Sequence, residues 1–259
     1  MMIRWAFLDV GNLLFNDDPQ TFFIHRRYFE AAAARAPGFT FDQFLAARER
    51  EVRGGNRWPT QSVLLQFLSA EELDTLGRSV TEELRGVYDE FNFPMPSVRP
   101  MLDSLRHRFR LGIIANQIRE CRASLARNQL LDYFDIVAIS EELGLHKPDE
   151  AIFRWALERG ACDPHETVMI GDRHDNDVVP ATALGMHTIW VRWPSLAGKG
   201  WTPSGQDAHA FVASHDREPF YGRVTRPDVA PSAVVTDLPG VLDAIDMINS
   251  QATRRCASD

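Results

Sequence analysis

The sequence predicts an α/β protein, in which a parallel β-sheet is covered by helices and carries an all-helical insertion after its first strand. Three observations predict this fold. Six short, continuous apolar runs are typical of strands buried on both faces of a sheet. Helical patterns alternate with these runs from the second one onward, as in right-handed strand–helix–strand units. Between the first and second runs, residues 17–93 contain helical patterns only.

Each predicted element follows from its own residue pattern. We expect helices wherever apolar residues recur at spacings of three and four, as in Ser97 to His107. The six strands are Trp5 to Val10, Arg110 to Ala115, Ile136 to Ile139, Thr167 to Ile170, His187 to Val191 and Ala233 to Val235. The other helices of the α/β part are Arg119 to Leu131, Glu150 to Arg159, Asp177 to Leu184 and Pro239 to Ile248.

The pattern also predicts a division into domains. Residues 1–16 and 94–259 form the α/β core, and residues 17–93 form a helical cap over the carboxyl ends of the strands, where open α/β sheets place their ligands. Within the core, residues 194–231 are rich in Gly, Pro, Ser, His and Asp. We expect this segment to be a long loop, which in a compact domain is usually functional or disordered.

Composition argues against several classes of function. The chain has 36 acidic and 28 basic residues, a net charge of −8, whereas nucleic-acid binding needs a basic surface. No apolar run approaches the ~18 residues of a membrane span, and we expect no signal peptide. The cysteines, Cys121, Cys162 and Cys256, form no CxxC pair. We therefore expect no disulfide framework or zinc knuckle, and a reducing, cytoplasmic location.

Polar residues with catalytic potential follow four of the predicted strands. Asp9 ends the first strand, Asn116 follows the second, Lys147 lies in a His-Lys-Pro-Asp stretch after the third, and Asp172 to Asp177 follow the fourth. The carboxyl ends of parallel strands share one edge of a sheet, so we expect these groups to converge. Crowded carboxylates repel one another unless a hard divalent cation such as Mg²⁺ binds between them, and a nearby lysine adds positive charge.

This ordered set resembles the haloacid dehalogenase superfamily of hydrolases, over about residues 3 to 193 and again in the last strand and helix. The resemblance implies a Rossmann-like three-layer parallel sheet with an inserted helical (C1-type) cap. It implies that Asp9 is the nucleophile that forms an aspartyl phosphate, and that Lys147 neutralises the nucleophile and the transferred phosphoryl group. Asn116 matches the second residue of the family's Ser/Thr-Asn motif, which acts in catalysis and substrate binding.

The resemblance further implies a Mg²⁺ site and a substrate class. Its ligands would be Asp9, Asp172, Asp177 and the backbone carbonyl of Gly11. The expected activity is hydrolysis of a small phosphate monoester, with no nucleic-acid or membrane partner.

Two positions depart from the family pattern. Gly11 stands where most phosphatases of the family have a second Asp, which protonates the leaving alcohol and then activates water; such acid–base catalysis is worth ~10²–10⁴ in rate. Ala115 stands where Ser or Thr donates a hydrogen bond to the phosphoryl group. We therefore consider Asp17, Asp18 and His174 as substitute proton carriers.

Two alternatives to a phosphatase remain open at the level of sequence. One is a dehalogenase-type hydrolase, in which Asp9 attacks carbon; such relatives need no metal, which leaves Asp172 and Asp177 without a role. The other is a non-catalytic binding or regulatory protein. Substrate choice is expected to lie in the cap, where Arg53 and Arg57 flank a Gly54-Gly55 turn and are suited to clamp a second anionic group.

Overall fold

The computed structural model describes residues 2–220 and 223–256, which form two compact units. The first unit comprises Met1–Asn16, Pro94–Pro194 and Tyr221–Asp259. The second comprises Asp17–Phe93, the residues predicted as a helical insertion, together with Ser195–Phe220. In the part of the chain that the structure describes, no helix is both long and apolar enough to cross a membrane.

A six-stranded parallel sheet forms the centre of the first unit. Its strands are β1 (Trp5–Leu8), β4 (Arg110–Ala115), β5 (Ile136–Ile139), β6 (Thr167–Gly171), β7 (His187–Val191) and β8 (Ala233–Val235). Two further strands, β2 (Phe15–Asn16) and β3 (Phe93–Pro94), have two residues each and were not predicted. All six predicted strands are present, and all pair in parallel.

Helices flank this sheet, as the alternating pattern predicted. They are α5 (Val98–Arg106), α6 (Glu120–Arg127), α7 (Ser140–Leu143), α8 (Glu150–Gly160), α9 (Val179–Ala183) and α11 (Gly240–Cys256). The helix predicted over Arg119 to Leu131 ends at Arg127, because Gln129 adopts a left-handed conformation (φ 54°). The helix predicted from Asp177 begins instead with one π-helical turn, His174–Val178.

The strand order, β5-β4-β1-β6-β7-β8, explains where a site forms. From β1 the chain continues to β4 and β5 on one side, and then returns to β6, β7 and β8 on the other. Ligands of open α/β sheets bind outside the carboxyl ends of the strands at such a reversal. Leu8, the last residue of β1, lies beside Ile113 of β4 and Ile170 of β6, so the loops after these three strands emerge together.

The second unit is helical. Its helices are α1 (Asp18–Arg35), α2 (Phe41–Arg53), α3 (Pro59–Leu64), α4 (Ala70–Phe91) and α10 (Gln206–Arg217). Local sequence sets the starts of α2 and α4: Thr40 and Ser69 each accept a hydrogen bond from the third residue of the helix, whose side chain bonds back. These reciprocal bonds satisfy backbone groups that a helix start leaves unpaired.

The prediction that residues 194–231 form a long loop within the core is wrong for part of that range. Residues 206–217 form helix α10, and Ser195–Phe220 belong to the helical unit. The buried face of α10 consists of Ala208, Phe211, Ser214 and His215. Because two of these four side chains are polar, the hydrophobic period is too weak to indicate a helix. Residues 221 and 222 of the range lie outside the described residues.

Ionisable side chains are buried inside the helical unit. The ammonium of Lys199 lies 2.7 Å from the Asp18 carboxylate, and both side chains are less than 5% exposed. The rings of His25 and His215 lie 5.5 Å apart, centre to centre. His215 Nδ1 donates to the Phe211 carbonyl oxygen, and His25 Nε2 contacts the Thr60 hydroxyl at 3.3 Å. These contacts connect residues 195–220 to helix α1, and α1 to α3.

Burial lowers the pKa of both His25 and His215 well below the ordinary value, and the positive charge of Arg48 lowers them further. Both rings are therefore neutral in the folded chain, whereas the unfolded chain protonates them as the pH falls through about 6.5. The unfolded state then binds more protons, so stability falls as the pH falls. We expect the free energy of unfolding to lose about 1.4 kcal/mol per histidine, or about 2.7 kcal/mol in all, between pH 7.5 and 5.5.

Urea unfolding at the two pH values measures this loss. The comparison is between the wild type and a His25→Gln/His215→Gln variant, which we expect to lack the histidine contribution. His209→Gln, on the exposed side of α10, is the matched control, and this variant should lose as much stability between the two pH values as the wild type does. Equal pH dependence in the wild type and the double variant would show that the two rings are not neutral in the folded chain.

Candidate active site

Three carboxylates lie together at the carboxyl ends of β1 and β6. Asp9 follows β1, and its backbone N–H donates to the Ile170 carbonyl of β6 (2.9 Å). Asp172 directly follows β6, and Asp177 lies in the π-helical turn after it. Each residue offers one oxygen such that these atoms lie within 4.8 Å of one another, and all three residues are buried.

Lys147 binds two of the three carboxylates. Its Nζ lies 2.9 Å from Asp9 Oδ1 and 2.6 Å from Asp177 Oδ1, and its side chain is 1% exposed. The structure thus brings together the four ionisable residues of the predicted site. Asp9 is 138 residues before Lys147, and Asp172 is 25 residues after it, and the parallel sheet brings the loops that carry them to one edge.

Burial and the attraction between opposite charges act against each other in this group. Burial acts to lower the pKa of Lys147, but the carboxylates of Asp177 and Asp9 outweigh burial and leave it above its ordinary value. Burial raises the pKa of Asp177 to about 6, although Lys147 opposes the change and Asp9 adds to it. Lys147 is therefore charged at neutral pH, and its single ammonium contacts two of the three carboxyl groups.

This donor set fits Mg²⁺. Mg²⁺ prefers oxygen ligands and usually binds through one or two carboxylates while it keeps several waters. One lysine does not balance three carboxylates, and a divalent cation would supply the missing charge. The residues that would hold it are Asp9, Asp172 and Asp177. A backbone carbonyl contribution from Gly11 stays a prediction.

Backbone contacts fix the position of Asp177. Its Oδ2 accepts a hydrogen bond from the Arg173 backbone N–H (3.0 Å). Gly171, the last residue of β6, lies so close that a Cβ atom there would come within 2.2 Å of the same oxygen. Glycine is therefore the residue that allows Asp177 to reach Lys147, which gives a structural reason for the Gly-Asp sequence at the end of this strand.

Asn116 lies beside Lys147. Its Nδ2 donates to the Lys147 carbonyl oxygen (2.8 Å), and its Oδ1 accepts from the Lys147 backbone N–H (2.7 Å). The amide thus holds the main chain of the lysine loop against the end of β4. Contact between Asn116 and a substrate stays a prediction.

Arg53 and Arg57 belong to the helical unit, where each has a neighbour. Arg53 forms an ion pair with Glu218 (2.9 Å), and the Arg57 guanidinium lies over the Trp58 ring. Their predicted role in binding a second anionic group is not tested by these contacts.

Two of the three candidate substitutes for the missing Asp at position 11, His174 and Asp18, are bonded to other groups, and the proposed role of Asp17 stays a prediction. His174 Nε2 donates to the Val229 carbonyl oxygen (2.9 Å), and Nδ1 lies 3.4 Å from the Thr225 hydroxyl. The Asp18 carboxylate binds Lys199; burial raises its pKa, and Lys199 opposes that change. His174 therefore holds the segment before β8 in place, a role that the sequence did not indicate.

Sequence reasoning missed one residue next to the carboxylates. Asn12 follows Gly11, is 3% exposed and donates from Nδ2 to Asp172 Oδ2 (2.9 Å). The only available signal was an asparagine after a glycine, a pair typical of turns with positive φ.

Comparison with known proteins agrees with this geometry. The family model for haloacid dehalogenase-like hydrolases matches residues 48–191, more than half of the chain. The chain is also 33% identical over 193 residues to the pyrimidine 5'-nucleotidase YjjG of Escherichia coli (strain K12), which covers 72% of this chain and 85% of that protein. The chain belongs to the haloacid dehalogenase-like hydrolase family. It is a hydrolase of the phosphatase type.

Other members of the family match over shorter stretches or at lower identity. A glyceraldehyde 3-phosphate phosphatase of Methanothermobacter thermautotrophicus is 37% identical over 100 residues, 38% of this chain and 44% of that protein. The putative hydrolase YfnB of Bacillus subtilis, solved with bound magnesium, superposes with a TM-score of 0.61 at 17% identity, over 95% of this chain and all of that one. At that identity the likeness shows a shared fold.

Proposed function

We propose that this haloacid dehalogenase-like hydrolase cleaves small phosphate monoesters in a Mg²⁺-dependent reaction that uses Asp9 as the nucleophile. The observation that carries the proposal is the contact of Lys147 Nζ with Asp9 Oδ1 at 2.9 Å, inside a group of three carboxylates. A carboxylate held beside a charged lysine is suited to attack a phosphoryl group, because the lysine offsets the negative charge of both reactants.

The reaction proceeds in two displacements at phosphorus. An Asp9 oxygen attacks phosphorus, the bond from phosphorus to the alcohol oxygen breaks, and the alkoxide takes a proton from water. A second water then attacks the same phosphorus and gives a proton to the hydroxide left by the first, the bond from phosphorus to the Asp9 oxygen breaks, and inorganic phosphate and the Asp9 carboxylate result. Lys147 offsets the negative charge of Asp9 and of the phosphoryl group in both displacements. Bound Mg²⁺ would neutralise charge on the phosphoryl oxygens and orient the group for in-line attack.

Gly11 shapes the substrate range that we propose. Because it has no side chain to protonate the leaving oxygen, substrates with a more acidic leaving group, such as aryl and acyl phosphates, should react faster than simple alkyl esters. The missing general acid sets the size of this preference in rate at about 10²–10⁴.

We also propose that the helical unit acts as the cap and that Arg53 and Arg57 contact substrate. A cytoplasmic location stays a prediction; Cys121 and Cys162 are free thiols.

Two relatives suggest substrates to test. One is named a pyrimidine 5'-nucleotidase, and the other a glyceraldehyde 3-phosphate phosphatase. We therefore propose a panel of nucleoside monophosphates, triose and sugar phosphates, an aryl phosphate and an acyl phosphate. Phosphate release is measured with Mg²⁺ and with EDTA. We expect hydrolysis of at least one ester with Mg²⁺, and release at the rate of the protein-free blank with EDTA.

Two outcomes would contradict the proposal. Halide release from a 2-haloacid that is unaffected by EDTA would favour a dehalogenase-type reaction at carbon. Tight binding of a phosphate ester without turnover, across the whole panel, would favour a non-catalytic protein that kept the site. Asp172 and Asp177 argue against the first outcome, because a metal-free attack of Asp9 on carbon gives these two carboxylates no function.

A further inference from the structure

The side chain of Asn12 is held next to the carboxylates by its backbone conformation. Asn12 has a φ of 54°, in the left-handed region that Gly and Asn adopt most readily. Its side chain is buried, and its Nδ2 donates to Asp172 Oδ2 at 2.9 Å. The turn after β1 therefore aims a neutral amide donor at a carboxylate that follows β6, across the boundary between adjacent strands.

Two indole rings hold the main chain at both ends of this contact. Trp190 of β7 donates from Nε1 to the Asp172 carbonyl oxygen, and Trp193 donates from Nε1 to the Asn12 carbonyl oxygen, each at 2.9 Å. The two tryptophans lie three residues apart on one stretch of chain. Asn12 and Asp172 are thus fixed relative to one another through side-chain and main-chain bonds.

The donors to the three carboxylates differ in charge. Lys147 contacts Asp9 and Asp177, at 2.9 and 2.6 Å. The donor that Asn12 directs at Asp172 is uncharged, so it fixes the carboxylate plane without reducing its negative charge. A metal ligand benefits from such a partner, because hydrogen bonds that orient a ligand commonly account for 10–100-fold in metal affinity.

We propose that Asn12 is a positioning residue that holds the Asp172 carboxylate in place for a divalent cation. In the Gly11-Asn12 pair, one residue then lacks an acid–base side chain and the next supports a metal ligand. The inference rests on the metal site of the proposed function and on no step of the reaction.

The test is the affinity of the full-length protein for Mn²⁺, measured by electron paramagnetic resonance of the free ion and by calorimetry. Asn12→Gly removes the amide and tolerates the positive φ. We expect its Mn²⁺ dissociation constant to rise about tenfold above that of the wild type. Asn128→Gly is the matched control, because that amide donates to the Ser124 carbonyl oxygen at the end of α6. Its dissociation constant should equal the wild-type value.

Thermal unfolding in EDTA separates positioning from folding. A purely structural role would lower the melting temperature of Asn12→Gly and leave its Mn²⁺ affinity unchanged, and that result would overturn the proposal. If the glycine variant does not fold, Asn12→Ser replaces it, since the shorter side chain does not span the distance to Asp172; the same rise in dissociation constant is expected.

The results also separate this inference from the proposed function. Weak Mn²⁺ binding by the wild type itself would contradict both the proposed metal site and the proposed role of Asn12. Wild-type Mn²⁺ binding that weakens in Asn12→Gly, in a protein that hydrolyses no phosphate ester, would support Asn12 as a positioning residue while the phosphatase proposal fails.

Discussion

Replacement of Asp9 by Asn is expected to reduce phosphate release at least about 10⁴-fold, because an amide oxygen is a poor nucleophile and the reaction has no second route to a covalent intermediate. The substitution replaces one carboxylate oxygen by an amide nitrogen, keeps the number of heavy atoms and removes one negative charge. The fold should persist, because the Asp9 backbone N–H still bonds to the Ile170 carbonyl of β6.

The measurement is the initial rate on the best ester of the panel, at saturating Mg²⁺. Acid quenching of the wild type during turnover, followed by mass spectrometry, should show a phosphorylated peptide that contains residue 9, and the Asp9→Asn variant should show none. Asp103→Asn, at an exposed position of α5, is the matched control and should keep the wild-type rate. A residual rate above one tenth of the wild type would mean that Asp9 is not the nucleophile.

Replacement of Lys147 by Met is expected to have the largest effect on stability. Without the ammonium, the carboxylates of Asp9 and Asp177 lose the charge that lies within 3 Å of each. Loss of one partner from a buried ion pair costs about 3–5 kcal/mol, since the remaining charge is buried without compensation. In EDTA, we expect the free energy of unfolding to fall by about that amount.

Addition of Mg²⁺ should restore part of this loss, because a divalent cation also balances the carboxylates. Hydrolysis at saturating Mg²⁺ should remain at least about 10²-fold below wild type, since the cation does not replace the lysine at the phosphoryl group. Urea unfolding with and without Mg²⁺ measures the first effect, and the phosphate assay measures the second.

Lys199→Met provides the matched control. Lys199 is also buried and also bonded to a carboxylate, that of Asp18, but within the helical unit. Its removal should destabilise the protein to a similar degree, and Mg²⁺ should not restore the loss. Equal recovery by Mg²⁺ in both variants would place the cation somewhere other than among Asp9, Asp172 and Asp177.

The parts of this molecule that sequence predicted are those in which one local pattern determines the structure. Continuous apolar runs are typical of strands buried on both faces, and all six core strands were predicted from such runs, although Val234 of β8 is exposed. The residues after Leu8, Ala115 and Gly171 converge because parallel strands point their carboxyl ends the same way. The role of Lys147 was predicted from the resemblance to a family, because no local sequence pattern indicates it.

The parts that sequence missed depend on contacts between distant residues. Helix α10 buries Ser214 and His215 against other polar groups, so its burial leaves no apolar stripe. The Asn12 amide acquires its role from Asp172, 160 residues away, and neither residue type is unusual in a loop. Membership of Ser195–Phe220 in the helical unit rests on pairs such as Lys199 with Asp18.

The pairing of Lys199 with Asp18 also means that the helical unit cannot complete its packing on the ribosome until Lys199 has been synthesised. Helices α1 to α4 leave the ribosome well before residue 195 has been synthesised, and at 5–20 residues per second the delay is roughly 5–20 s. During that time, the Phe22 face of α1 lacks the rings of Trp201 and Phe211, which lie 5.8 and 5.5 Å from it in the folded chain. Nascent chains of this protein therefore display an aromatic surface that chaperones can bind, until the last quarter of the sequence arrives to cover it.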